Sequence, residues 1–389
     1  MLKRSTQMLN FSICLIAKNE SKTLPRLIGS LKEFQSRGGK IHLLDTGSTD
    51  GTAQIARDLG CKVEEVGEKF VTTIDKDLCD KLNTNFVVKG EAPIVKIGDK
   101  LFDYASARNY IADFTDTDVI ATPDCDEIYT KFDIDKIEEV IKNGVDQLEY
   151  NFVFSHDQFG NEAIKFMHSK FYNRKKLHWE GVVHEVLVGD AKRQFLPESI
   201  IKLEHYQNEE TNRSGYLRGL ALDCYLHPEN DRNSHYLGRE LLWTGRPESA
   251  IKELTRHISM NKWPTERAQS MIFIGDAYLQ LGNEEEAINW YQKSFQLEPK
   301  RREAIMRLAD HFYKKGDAQK VACYCAMALE IPESGFYAND LSLYTNLPHE
   351  LMYWAKWQLG DIEMSKHHWN MAYHCQPHND KYLHDARFY

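Results

Sequence analysis

The ten residues Leu43-Leu-Asp-Thr-Gly-Ser-Thr-Asp-Gly-Thr52 decide the fold of the first half of the chain. An apolar run ends in a carboxylate, passes through a turn rich in hydroxyls and glycine, and leads into a segment of helical periodicity. Working outward, Phe11-Ser-Ile-Cys-Leu-Ile16 reads as a first strand, Thr23 to Phe34 as an amphipathic helix and Ile41 to Leu44 as a second strand. Thr52 to Leu59 reads as a helix stopped by Gly60, and Cys61 to Val66 as a third strand. Strand, helix, strand, helix, strand predicts a mostly parallel sheet covered by helices. Phe70 to Lys100, with Gly90, Pro93 and Gly98, reads as an irregular excursion with one hairpin. Phe102 to Phe114 then looks helical, and Asp118 to Thr122 reads as a strand. Pro123 to Ile128 forms the loop at its carboxyl end, where open α/β sheets bind ligands.

From about Thr211 the pattern becomes all helical and repeats. Gly238, Gly275 and Ala309 occupy equivalent small positions, Gly245, Gly282 and Gly316 follow, and Ala250, Ala287 and Val321 come next. The copy from Met271 to Gly282, continued by Ala287, Tyr291 and Pro299, resembles a tetratricopeptide repeat, and a further copy falls around Gly360, Trp369 and Pro377. An irregular insertion separates them between Pro332 and Pro348. Small residues are needed where the two helices of a repeat cross closely, and such stacks bury their apolar faces only against neighbours.

Length and charge narrow the function. A chain of 389 residues has room for two cores. Its 49 Lys and Arg against 58 Asp and Glu leave a formal charge of −9, which disfavours a broad grip on nucleic acid or anionic lipid. No apolar run approaches the roughly 20 residues of a membrane span or forms a secretory leader, so a cytoplasmic protein is expected. The eight cysteines, Cys323 and Cys325 among them, read as reduced core thiols, and the scattered His367, His368, His374 and His378 do not read as a zinc site.

Two motifs can carry chemistry. Asp45 is placed to accept hydrogen bonds from a nucleoside base or ribose, with the following turn and helix start near phosphate. The plain structural alternative is a capped turn in which Ser48, Thr49 or Asp50 satisfies orphan amides. Asp124-Cys-Asp126-Glu127 directly follows a strand, and two carboxylates at i and i+2 in a loop can face one hard cation that bridges to a diphosphate. Taken alone, these residues would equally serve to cap the next turn.

Together with Ile13-Cys-Leu-Ile-Ala-Lys-Asn-Glu20 and Tyr104-Ala-Ser-Ala-Arg-Asn109, these motifs resemble, in order and spacing, the family 2 glycosyltransferases over about residues 10 to 190. The resemblance implies a Rossmann-like GT-A fold and transfer of a sugar, with inversion, from a nucleotide donor. It implies that Asn19, Glu20 and Asp45 line the nucleoside site, that Arg108 and Asn109 lie near the nucleotide, and that Asp124 and Asp126 bind ribose and metal. The segment Phe70 to Lys100 departs from the pattern, being shorter in many relatives. Leu177-His-Trp-Glu-Gly-Val-Val-His-Glu185 resembles a segment of those members that carry helical repeats. Inverting transfer needs a base facing the acceptor; Glu185 is assigned that role, with His184 and Glu180 as alternates. His205 is expected on the metal.

The expectation is therefore a GT-A domain over residues 1–210 and a tetratricopeptide-like domain over 211–389. The cofactors are Mn²⁺ or Mg²⁺ and a nucleoside diphosphate sugar, uridine-linked. The acceptor is a protein, peptide or glycan, held by the concave face of the repeats, a face that could instead form a homodimer. Two rivals remain. The first is a catalytically inactive GT-A scaffold whose repeats bind a partner, against which the clustered carboxylates argue. The second is a nucleotidyltransferase, which would ordinarily show a glycine-rich loop with a lysine, unlike Ala17-Lys-Asn-Glu20.

Overall fold

Almost every residue of the first strand, β1 (Phe11–Ala17), is buried, as in a strand covered on both faces. The computed structural model describes residues 9–206, 214–333 and 339–389. Two compact units emerge: one of residues up to Leu82, Val95–Ser155 and Phe166–Asp223, the other of Asn83–Ile94, His156–Lys165 and Cys224–Tyr389. The boundary expected after residue 210 lies outside the described residues.

In the first unit β1 is followed by α1 (Leu24–Ser30) and α2 (Lys32–Ser36) rather than by one helix. A tight bond from the Leu31 N–H to the Ile28 carbonyl interrupts the helical ladder between them. Next come β2 (Ile41–Asp45), α3 (Thr52–Asp58) and β3 (Lys62–Glu65). In place of the expected hairpin, β4 (Val71–Thr73) pairs antiparallel with a strand well after it, and between them runs a helix that the sequence reading missed, α4 (Lys76–Phe86). Leu78, Leu82 and Phe86 give α4 its helical period, which the surrounding Gly90, Pro93 and Gly98 obscured. The partner strand is β5 (Lys100–Phe102), followed by α5 (Tyr104–Ala112), whose first turn is capped by the Asp103 carboxylate on the Ser106 N–H. Then come β6 (Val119–Ala121), β7 (Glu127–Phe132), α6 (Ile134–Lys142), β8 (Gln147–His156) and β9 (Glu162–Asn173). The strands end with β10 (Leu177–Glu180), β11 (Val186–Gly189), β12 (Arg193–Leu196) and β13 (Ile201–His205).

The main sheet runs β3-β2-β1-β6-β9-β8-β13-β7. β3, β2, β1 and β6 are parallel, whereas β9 runs antiparallel to β6 and β7 antiparallel to β13, so the sheet is mixed. The parallel half brings the carboxyl ends of β2, β1 and β6 side by side, with Ala17 in register with Asp45. The loops that carry Asn19, Asp45 and Asp124 are neighbours for that reason.

Helix α7 (Ser214–Leu226) belongs with the first unit as far as Asp223. The second unit pairs α8 (Asp231–Trp243) with α9 (Pro247–Met260), α10 (Pro264–Gln280) with α11 (Glu284–Leu297), and α12 (Glu303–Lys314) with α13 (Ala318–Leu329). It closes with α14 (Asn346–Gln358), α15 (Ile362–Cys375) and the short α16 (Asp380–Asp385). One device recurs in three of the helix pairs. Gly282, Gly316 and Gly360 end the first helix at φ 74 to 76°, and the next residue, Asn283, Asp317 or Asp361, caps the second helix with its side chain. The packing of Cys323 is a correction: it is exposed, as is Cys375, while the other six cysteines are buried.

The small positions are where helices touch. A Cβ at Gly238 would run into Leu254, and one at Gly275 into the ring of Tyr291, which is fully buried and tied by its hydroxyl to Asp276 at 2.7 Å. Gly275→Ala should therefore lower stability by about 1–3 kcal/mol through overpacking, despite the better helix propensity of alanine. Gly29→Ala, in α1 with open space around it, should be neutral or stabilise by up to about 1 kcal/mol. Denaturant unfolding of both variants checks the pair.

Candidate functional site

The turn after β2 is held by side chains in the way its composition implies. Asp45 Oδ1 accepts the N–H groups of Gly47 and Ser48 at 2.9 and 2.8 Å, so half of this carboxylate serves the turn. Its Oδ2 is buried with no hydrogen-bond partner. An unpaired buried carboxylate oxygen is costly, and at the carboxyl end of a parallel strand it is an acceptor awaiting a donor.

The β1–α1 loop is bound to this turn. The Asn19 N–H donates to Ser48 Oγ at 2.9 Å and its Oδ1 accepts the Thr49 N–H at 2.8 Å, while the Glu20 N–H donates to Thr52 Oγ1 at 2.8 Å. Burial pushes the Glu20 carboxyl up, opposed by the Thr23 hydroxyl that donates to it and reinforced by Asp126, Asp124 and Asp50. Asn19 has φ 60°; the other non-glycine residue with positive φ among the described residues is His184, at 52°. Each such residue costs about 1–3 kcal/mol and persists only where its surroundings hold it, commonly at ligand sites.

Asp124 and Asp126 do not act as a pair. Asp124 Oδ1 accepts Arg108 Nη2 at 2.6 Å and Oδ2 accepts Lys170 Nζ at 2.6 Å. Burial opposes ionisation of Asp124, but Lys170 and Arg108 outweigh it and hold its carboxyl well below the usual carboxylate range. Each oxygen of Asp124 thus already accepts one cationic donor, and a second lone pair on each remains for ribose or metal. Lys170 Nζ also reaches Glu127 Oε1 at 2.5 Å, and burial raises the Glu127 carboxyl despite that contact. Lys170 was not singled out in the sequence; a lone lysine in a strand carries no motif, and only the sheet order puts it under the β6 loop.

The two residues expected near the nucleotide from α5 face inward. Arg108 is buried, donating to Glu185 Oε1 at 2.6 Å, the Thr122 carbonyl at 3.1 Å and Asp124. The Asn109 amide donates to the Trp179 carbonyl and accepts the Trp179 N–H, both at 2.9 Å. Asn109 therefore pins β10 to α5 with one donor and one acceptor of its amide. Glu185 is brought to the site by Arg108, which occupies its Oε1. Glu180, the alternate, is exposed and paired with His178 at 2.9 Å, while the His184 ring lies 5.3 Å from that of Tyr216.

Asp126 meets His205 instead. His205 Nδ1 lies 2.9 Å from the Phe154 carbonyl and its Nε2 3.0 Å from Asp126 Oδ2. An Nδ1–H held by a carbonyl leaves the Nε2 lone pair aimed at a carboxylate, so two acceptors oppose each other unless a proton or a cation lies between them. Burial disfavours the charged ring, but the Asp126 hydrogen bond and charge win and raise the His205 pKa. A carboxylate and an oriented imidazole suit a divalent ion that takes its other ligands from substrate and water. Among the described residues no group of three or more His, Cys, Asp or Glu forms a complete cage.

The comparisons reach only the β1 to β4 part of this geometry, with Asn19, Glu20 and Asp45, and stop before Arg108, Asp124 and Asp126. Residues 12–73 match the family model "Glycosyl transferase family 2", and residues 268–301 match "Tetratricopeptide repeat". The chain thus carries a segment similar to family 2 glycosyltransferases, in an N-terminal mixed-sheet α/β domain consistent with GT-A, and a segment similar to a tetratricopeptide repeat within its helical C-terminal region. No curated protein matches the chain. Among solved structures, similarity extends to a MamA protein (17% identity, 43% of this chain and 85% of that one, TM-score 0.33). It also extends to Pseudomonas aeruginosa pilF (19%, 45% and 72%, 0.34) and to a thermophilic TPR protein in Thermus thermophilus (13%, 45% and 90%, 0.33). No helix among the described residues is long and apolar enough to cross a membrane.

Replacing Lys170 by Met removes one of two buried cations and leaves Asp124 and Glu127 facing each other's charge. The expected loss is about 3–5 kcal/mol in denaturant unfolding, with Lys170→Arg losing less.

Proposed function

We propose that the first unit binds a nucleoside diphosphate sugar, uridine-linked, and transfers its sugar with inversion to a protein, peptide or glycan acceptor recognised by the repeats. The observation that carries the reading is the buried, unpartnered Asp45 Oδ2 inside the segment that matches family 2 glycosyltransferases. That oxygen would accept a hydrogen bond from the base or ribose, and the strained Asn19 would keep the neighbouring loop in place for it.

Asp126 and His205 would hold Mn²⁺ or Mg²⁺, which supplies charge neutralisation to the departing diphosphate. Arg108 and Lys170 keep Asp124 ionised and fixed beneath that position, with Asp124 on the ribose side. Glu185 would take the proton of the acceptor hydroxyl or thiol through Oε2, the oxygen that Arg108 does not bind, as the nucleophile displaces the nucleotide in one step. Eight free cysteines support a reducing compartment such as the cytoplasm as its place of action. The scaffold alternative draws on one observation, the tie between Glu185 and Arg108, which occupies one oxygen of the candidate base.

Nucleoside diphosphate release from a panel of uridine- and guanosine-linked sugars with Mn²⁺ tests the reading. Release from one uridine-linked sugar is expected, with a loss of about 10²-fold or more in Glu185→Gln. Asp126→Asn should abolish the metal dependence along with most turnover. Full metal-dependent turnover in Asp126→Asn would contradict the assignment, and no release from any sugar would favour the scaffold.

A further inference from the structure

We propose that Tyr104, His184 and Tyr216 form an aromatic subsite for the pyranose ring of the donor sugar. This inference rests on the donor-site reading above and extends the same site. The three rings come from three elements: the start of α5, the loop between β10 and β11, and the first turn of α7. The Tyr104 and Tyr216 rings are nearly parallel, 5° apart in plane with centroids at 6.4 Å, and the His184 ring stands 5.3 Å from Tyr216 at 33°. All three side chains are half-buried.

Their position follows from the order of the strands. The nucleoside end of the site lies at the carboxyl end of β2, with Asp45, and the Asp124 to Asp126 loop follows β6 on the other side of β1. A sugar attached to the diphosphate would continue away from β2, to where Arg108 joins Asp124 to Glu185. Tyr104 lies one turn before Arg108 on α5, and His184 immediately precedes Glu185 in the chain. Burial raises the hydroxyl pKa of both tyrosines, and the charges of Asp124 and Glu185 raise it further, with Asp126 adding to the effect at Tyr216. A pyranose offers one face of C–H groups and a rim of hydroxyls, so rings beside carboxylates meet both of its chemical requirements.

The chain holds the wall in place from behind. The Asp223 carboxylate of α7 accepts the N–H groups of Val182 and Val183 at 2.8 and 3.4 Å, and the Tyr104 N–H donates to the Val182 carbonyl at 3.0 Å. Gly219 of α7 leaves room for Val183, whose Cγ1 would lie 2.6 Å from a Cβ there. These contacts fix the strand-to-strand loop just before His184, where the backbone takes its left-handed turn. Helix α7, expected to open the repeats, instead braces the sugar end of the site.

Calorimetric titration of the full chain, with Mn²⁺, by uridine diphosphate and by UDP-glucose, UDP-galactose and UDP-N-acetylglucosamine tests the proposal. Tyr216→Leu should weaken binding of the preferred sugar nucleotide about tenfold while leaving uridine diphosphate within about twofold, and Tyr216→Phe should behave as the unaltered chain. His184→Asn, which removes the ring but tolerates the left-handed backbone, should show the same selective loss and covers the case in which Tyr216→Leu fails to fold. Equal weakening of nucleotide and sugar nucleotide, or no weakening of either, overturns the subsite. An unaltered chain that binds no uridine nucleotide at all overturns the donor-site reading, and the subsite with it.

Discussion

Two buried cations hold the functional end of the first unit together. Arg108 and Lys170 approach Asp124 from α5 and β9, and each carries a second carboxylate, Glu185 for Arg108 and Glu127 for Lys170. Arg108, Lys170 and Glu127 are buried while Asp124 is half-exposed, so removing either cation strands a carboxylate against low dielectric. This set of charges fixes the β6 loop, anchors the Glu185 loop to α5 and leaves Asp126 turned toward His205. The placing of Asp124, Asp126 and Glu185 thus follows from one electrostatic knot beside the β6–β9 pair.

The two compact units are built on different constraints. The first relies on a mixed sheet with its parallel half facing the site, so that loops far apart in sequence converge. The second relies on small residues at helix crossings and on a repeated turn of glycine followed by an Asn or Asp cap. The glycine supplies the left-handed residue that ends one helix, and the next side chain supplies the acceptor that starts another. Tyr291 shows how closely such a stack is packed, since its ring fills the space that a side chain at residue 275 would need.

Much of this was legible in the sequence, because the deciding signals are local. The strands around Leu43 to Thr52, the capped turn, the helical period and the repeat glycines are all encoded within about a dozen residues of themselves. What the sequence did not show is long-range. Asn109 and Arg108 sit in a motif that resembles a nucleotide contact, and each also binds protein partners 70 and 77 residues away that no local pattern announces. Lys170 is invisible without the β6–β9 pairing, and α7 reads as the first repeat helix until Asp223 is seen holding the Val182 and Val183 amides. Helix α4 was obscured by flanking glycines and proline although its own period is regular. Asp45 was legible in part: its turn-capping oxygen follows from the motif, whereas the unpaired state of its other oxygen does not.

Hydrogen–deuterium exchange of the full chain with and without uridine diphosphate and Mn²⁺ tests the central claim that the neighbouring ends of β1, β2 and β6 form one nucleotide site. The account predicts slower exchange in the segments 13–23, 43–52 and 122–128 together. Unchanged exchange in all three, or protection confined to the helical repeats, would contradict it.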